Sequence, residues 1–218
     1  MALAAILIAL AGLAAMLAVR VLYMLFVGRS RPMRAGSGPV KTMVVLGSGG
    51  HTAEMLMLVE RLDKAHYAPR VYVAAASDRM SGHKALTKEQ AWGGGDQGAA
   101  RLEVIPRSRE VGQSYATSVA TTLYSLAFAA WVVLRQRPRL LLVNGPGTCI
   151  PVCAAAFLYR ALFFLDCRIV YVESIARVER LSLSGRILHL SRAADALFVQ
   201  WPEMAARFRG TTYAGRLY

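Results

Sequence analysis

From Met1 to Val27 the chain carries one charge, Arg20, within the run ALAAILIALAGLAAMLAV and its continuation VLYMLFVG. That is about 25 apolar residues, more than a helix needs to cross a ~30 Å hydrocarbon core, so whatever follows must fold beside a membrane. The stretch reads as a transmembrane helix over residues 1–28. A secretory signal peptide is the rival reading. Against it stand the missing basic leader, the length of the run and the bases directly behind it. Arg29, Arg31, Arg34 and Lys41 make residues 29–41 a basic linker, and no base precedes the helix. The positive-inside rule then places the short leading end across the membrane and residues 29 onward in the cytosol. Arg20 marks the cytosolic interface or snorkels to it.

The chain has 218 residues, 56% of them apolar and 18% charged. This leaves room for one ordinary domain, or at most two small ones, and not for a pair of full enzyme domains. The balance of 26 bases against 13 acids gives +13, and 22 of the bases are Arg. Residues 1–41 carry +5, residues 42–100 balance six bases with six acids, and residues 101–218 carry 15 bases against seven acids, or +8. The bases form no Lys/Arg run, finger or stacking-aromatic motif, which argues against nucleic acid. Anionic lipid and phosphorylated ligands suit the Arg excess, although codon bias alone also produces Ala- and Arg-rich chains. Cys149, Cys153 and Cys167 are odd in number and lack CxxC spacing, so neither a disulfide framework nor a zinc site is expected, and no metal or cofactor is called for.

Residues 42–218 alternate short apolar runs with helical patterns. Thr42–Leu46 is a strand ending at Gly47-Ser48-Gly49-Gly50, and His51–Asp63 places Met55, Leu58, Val59 and Leu62 on one helical face. Further strands are expected at Val71–Ala76, Leu102–Ile105, Leu140–Val143, Arg168–Val172 and Ala196–Val199. Ser77–Ala100, polar and holding Gly93-Gly94-Gly95, reads as a long mobile loop. Val111–Leu134 has no charge and is long enough to cross a bilayer, but it holds six Ser/Thr and has Arg on both flanks, so a buried or membrane-surface helix is expected. Ile150–Leu165, interrupted by Arg160, is read the same way. The fold class is α/β: a doubly wound, Rossmann-like parallel sheet behind one transmembrane helix.

In such a sheet ligands sit outside the carboxyl ends of the strands. The polar and glycine residues fall there: Gly47–Thr52, Ser77–Arg79, Asn144–Thr148, Glu173–Arg177 and Gln200. The turn Gly47, Ser48, Gly49, Gly50, His51, Thr52 can present N–H groups to an anion at a helix start, or it can be a tight turn with no ligand. It is not a P-loop, and a third glycine is missing from the dinucleotide pattern, Thr52 standing in its place. His51 fits a general base or a diphosphate donor, and a capping or packing role equally. Glu54 caps the helix or joins the chemistry. Asn144, Gly145, Gly147 and Thr148, in the sequence NGPGT, form a second anion-type turn; two such turns on one sheet edge suggest a diphosphate ligand. Glu173–Arg180 alternates charges and is also compatible with a solvated ion-pair surface.

Taken together and in this order, VVLGSGGHTAEML behind one apolar anchor, VNGPGTCIP, VESIARVERLSLSGRIL, FVQWPE and YAGRLY resemble the membrane-anchor subunit family of the dolichol-pathway N-acetylglucosaminyltransferase, the asparagine-linked glycosylation fourteen family. The likeness covers Lys41 to Tyr218. It implies the N-terminal half of a split GT-B glycosyltransferase over 42–218, whose other half is a soluble catalytic subunit, asparagine-linked glycosylation protein thirteen. The implied reaction moves N-acetylglucosamine from UDP-N-acetylglucosamine onto dolichyl-diphospho-N-acetylglucosamine at the cytosolic face of the endoplasmic reticulum membrane, in N-glycan precursor synthesis. By the motif match Gly47, Gly49, Gly50 and His51 fall on the family's Gly-rich loop, Gly145, Gly147 and Thr148 on its second loop, and Glu173 and Arg177 on its third. Tyr213, Gly215, Arg216, Leu217 and Tyr218 fall on the segment for partner docking. His51 is the leading candidate base and Glu54 the second. Met80–Gly98 departs from the family pattern. A scaffold without chemistry that only recruits the catalytic subunit is the alternative, and a nicotinamide oxidoreductase is disfavoured by the missing glycine.

Overall fold

The computed structural model describes residues 2–27, 38–93, 100–108 and 115–218. Arg29, Arg31 and Arg34 of the basic linker, Gly94 and Gly95, and the expected helix start at 111–114 lie outside the described residues. The first element is a 25-residue helix, α1 (Ala2–Phe26), long and apolar enough to cross a membrane. Its far end touches the domain: Met24 is buried, and Arg20 donates to the Arg160 carbonyl at 3.3 Å and lies 4.1 Å over the Phe163 ring.

Seven parallel strands follow in the order β3-β2-β1-β4-β5-β6-β7. They are β1 (Thr42–Val45), β2 (Arg70–Ala75), β3 (Arg101–Ile105), β4 (Leu140–Val143), β5 (Arg168–Val172), β6 (Ala196–Val199) and β7 (Thr212–Tyr213). The six expected strands are present, within a residue or so at their ends. β7 was not expected, since two exposed residues carry no apolar pattern. The helices between them are α2 (Gly50–Glu60), α3 (Arg79–Ala91), α4 (Tyr115–Gln136), α5 (Cys149–Ala161), α6 (Leu183–Ser191) and α7 (Pro202–Arg207).

Alternation along each strand sorts the core onto two faces. Met43, Val45, Val73, Leu141, Val143, Ile169 and Leu197 meet Ala129, Val132 and Val133 of α4 and Val152, Cys153 and Ala156 of α5. Val44, Tyr72, Leu140, Leu142 and Val172 meet Met55, Leu58 and Val59 of α2 and Ala85 of α3 on the other side. Parallel strands are ordinarily covered on both faces. Over β4, β5 and β6 the second face instead keeps an apolar groove of about 490 Å³, lined by Leu58, Leu142, Val170, Val172, Phe198 and Leu217 among others.

The expectation of a mobile loop over Ser77–Ala100 is corrected: residues 79–91 are helical. Asp78 caps α3 by accepting from the Ser81 N–H, and Glu89 inside the helix takes a buried pair of bonds from Arg70 and the Tyr72 hydroxyl. α4 is tied to the end of β3 by hydroxyls, Ser125 donating to the Pro106 carbonyl at 2.8 Å and Thr121 to the Ser108 carbonyl at 2.7 Å. Its outer side exposes Val119, Leu123, Tyr124, Phe128 and Trp131.

Candidate functional site

The strand order reverses between β1 and β4, which are hydrogen-bonded neighbours. A crevice opens at such a switch point, outside the carboxyl ends of the strands. It is a cleft of about 330 Å³ in which the turn after β1 (Gly47, Ser48, His51) faces the turn after β4 (Gly145, Gly147, Thr148). Neither helix that starts here has a side-chain cap: α2 begins behind Gly49 and α5 behind Thr148 without one. The positive ends of two helix dipoles therefore lie beside the cleft; at α5 the N–H groups of Cys149 and Ile150 already donate to the Pro146 and Gly147 carbonyls at 2.9 and 3.2 Å.

The two turns pass so closely that only glycine fits. A Cβ on Gly47 would stand 2.9 Å from the Cβ atoms of both His51 and Pro146. Gly145 has φ +112°, in the region that favours glycine, and a Cβ there would lie 3.0 Å from the Tyr171 hydroxyl. Beneath the first turn the Thr52 hydroxyl donates to the Gly47 carbonyl, and the neighbouring Ser81 Oγ donates to Asp78 at 2.6 Å. Thr52 is thus buried support for the turn, not a cleft wall.

Glu54 does not cap α2. Its Oε1 accepts from the Ser174 hydroxyl at 2.7 Å and the Ile175 N–H at 3.1 Å, joining α2 to the loop after β5. Oε2 lies 3.7 Å from His51 Nδ1, which is buried and has no hydrogen-bond partner among the described residues. Burial raises the Glu54 pKa, but the nearby His51 imidazole, the Ser174 hydroxyl and the Ile175 N–H outweigh it and hold the carboxyl below its ordinary range. Asn144, fully buried, donates from Nδ2 to the His51 carbonyl at 2.6 Å and to Glu54 at 3.4 Å. Those acceptors fix the amide orientation and leave Asn144 Oδ1 buried without a hydrogen bond among the described residues.

The third loop is not brought into the cleft. Glu173 is fully buried, accepting from the Ser182 N–H at 2.9 Å, the Ser174 N–H and the Tyr171 hydroxyl. Its oxygens hold the loop before α6 as an internal brace. Arg177 is exposed beyond it. One cleft residue was missed as a candidate: Arg107, two residues past β3, which lines the cavity and donates to Ser77 Oγ at 3.4 Å. The strand-end rule that singled out Ser77–Arg79 finds it when applied to β3.

The final segment returns to this region. Arg61 holds the Leu217 carbonyl at 3.1 Å, Leu217 N–H donates to Gln200 Oε1 at 2.9 Å, and the Tyr218 hydroxyl donates to the Val172 carbonyl at 3.3 Å. Leu217 and Tyr218 pack on the α2-side core, whereas Tyr213 and Arg216 are exposed, the Arg216 guanidinium lying 4.6 Å over Trp201.

This sheet order, with a glycine cleft at its switch point and an apolar groove over part of its second face, defines a Rossmann-like α/β lobe. Solved structures agree on the fold: MurG of Acinetobacter baumannii matches with a TM-score of 0.51 at 17% identity over 75% of this chain and 41% of that one. The UDP-N-acetylglucosamine 2-epimerase of Rickettsia bellii matches with 0.50 at 15% identity over 82% and 45%. The chain thus spans less than half the length of either. Residues 42–217 match the family described as oligosaccharide biosynthesis protein Alg14 like, and the chain belongs to that family. Relatives named UDP-N-acetylglucosamine transferase subunit ALG14 include the rat protein, 47% identical over 94% of both chains, and the human protein, 45% identical over 80% of this chain and 82% of that one.

Proposed function

We propose that this chain is the membrane-anchored, acceptor-side subunit of a split glycosyltransferase, moving N-acetylglucosamine from its UDP donor onto dolichyl-diphospho-N-acetylglucosamine. The observation that carries the reading is the pairing of two uncapped, glycine-turned helix starts across one cleft, a geometry suited to a diphosphate. Relatives that carry the word subunit in their names support a partner-dependent enzyme.

In this reading α1 is a single membrane pass with its leading end in the lumen of the endoplasmic reticulum. Residues 29–41 are the basic linker, and 42–218 form one lobe on the cytosolic side. The exposed apolar side of α4 lies on the bilayer surface, because a crossing would break the bonds of Thr121 and Ser125 to the end of β3. The soluble catalytic subunit, asparagine-linked glycosylation protein thirteen, brings most of the UDP-sugar site and docks along Tyr213, Gly215, Arg216, Leu217 and Tyr218 and the neighbouring apolar groove.

Gly47, Ser48, Gly49, Gly50, Gly145, Gly147 and Thr148 hold the acceptor diphosphate through backbone N–H groups, with Arg107 as the cation and Asn144 positioning the turn. An imidazole with its proton on Nδ1, toward Glu54, keeps a lone pair on Nε2. His51 thereby takes the proton of the attacking sugar hydroxyl while the bond from the anomeric carbon to UDP breaks and its electrons leave with UDP. Glu54 orients the imidazole. Transfer of radiolabelled N-acetylglucosamine to a short dolichyl-diphosphate acceptor tests the reading. The pair should be active and this chain alone inactive; activity from this chain alone sinks the split enzyme. Full activity of a His51→Ala pair would favour the scaffold.

A further inference from the structure

The docking segment and the candidate acceptor site are not separate in this chain. Arg61 at the end of α2 fastens the Leu217 carbonyl, and Gln200 at the end of β6 fastens the Leu217 N–H. Gln200 Nε2 in turn donates to the Glu173 carbonyl at 3.3 Å. The tail so held delivers the Tyr218 ring to the α2-side core and its hydroxyl to the Val172 carbonyl at the end of β5. The groups around that phenol are Asn144, Glu54 and Glu173. Burial, with the two carboxylates nearby, raises the phenol's pKa, so it stays a protonated donor.

Two of those neighbours hold the candidate base. Asn144 Nδ2 bonds the His51 carbonyl, and Glu54 Oε2 faces His51 Nδ1. The phenol's one O–H goes to the Val172 carbonyl, and its oxygen lies beside the Asn144 side chain, from whose amide N–H it can accept. We propose that Tyr218 is a positioning residue: its hydroxyl, held between the Val172 carbonyl and Asn144, fixes the Asn144–Glu54–His51 arrangement and so ties docking of the partner to the chemistry. The proposal rests on the functional reading given above.

The test is Tyr218→Phe in the full chain co-purified with its soluble partner subunit. The partner should still co-purify and KM for UDP-N-acetylglucosamine should be unchanged, while kcat falls about tenfold, the size expected from one lost hydrogen bond to a working group. In a Glu54→Gln background the same change should cost less than twofold, because both act through one network. Equal losses in the two backgrounds, full activity of Tyr218→Phe, or loss of the partner would each overturn the proposal. A second readout is independent of turnover. Diethyl pyrocarbonate should modify His51 several-fold faster in Tyr218→Phe, with exposed His66 and His83 as internal controls, and an unchanged His51 rate also overturns the proposal. An inactive wild-type pair would refute the functional reading while the His51 rate still judges Tyr218.

Discussion

His51 Nδ1 stands 3.7 Å from Glu54 Oε2, one helical turn along α2, and the other Glu54 oxygen is held by Ser174 and Ile175. A carboxylate fastened at one oxygen and facing an imidazole at the other is an orienting group, since its own lone pairs are largely spent. His51→Ala should therefore lower kcat of the assembled pair by 10²–10⁴-fold, the range for a positioned acid–base group, with the partner still bound. Glu54→Gln, which keeps acceptor and shape but not charge, should lose about tenfold. Steady-state transfer kinetics beside a pull-down of the partner check both.

Glu54 also sets an acid limb of stability. Burial pushes its pKa up, but the imidazole, the Ser174 hydroxyl and the Ile175 N–H prevail, and the folded value lies below the ordinary 4.5. A carboxyl made more acidic by folding contributes stability that is fully present above 4.5 and is lost as pH falls through the folded value. The Tm advantage of wild type over Glu54→Gln should shrink as pH falls below about 4. Thermal melts of both proteins from about pH 5 down to about 3 decide it; an advantage that does not shrink over that range would contradict the geometry.

Gly47→Ala tests the closeness of the two turns. The added methyl would sit 2.9 Å from both His51 and Pro146, atoms fixed by α2 and by the proline ring, so neither can yield cheaply. Overpacking of this kind costs roughly 1–3 kcal/mol, and the displaced His51 should reduce kcat as well. A Tm and kcat equal to wild type would mean that the turns separate freely.

The parts of this fold that the sequence made legible are those where one local signal suffices. β1 and β4 are short apolar runs cut off by glycine, and the i,i+3 spacing of His51 and Glu54 placed both at one helix start. α3 was illegible because RMSGHKALTKEQA has no apolar period; what buries it is Ala85 together with a charge, Glu89, whose partners lie in β2. The brace at Glu173 was hidden for the converse reason. A carboxylate at a strand end signals a ligand site, but the donors that draw it inward, Ser182 N–H and the Tyr171 hydroxyl, become neighbours only when the chain folds. The final segment showed its motif but not its path under Asn144.

The Arg70–Glu89 pair supplies the sharpest test of that hidden helix. The two side chains are 10% and 7% exposed, Arg70 Nη2 donates to Glu89 Oε2 at 2.8 Å, and the Tyr72 hydroxyl donates to Oε1 at 2.6 Å. Burial opposes the Glu89 charge, but the Arg70 and Tyr72 donors outweigh it and keep the carboxyl below its ordinary pKa. Glu89→Ala would strand a buried guanidinium and a phenol, a loss of roughly 3–5 kcal/mol, whereas Tyr72→Phe removes one donor and should cost about 1 kcal/mol. The double variant Arg70→Met, Glu89→Met removes both charges at once and should lie closer to wild type than Glu89→Ala does, because the desolvation of the pair vanishes with it. Thermal unfolding of the full chain in detergent ranks the three. Were α3 a mobile loop, all of them would melt with the wild type.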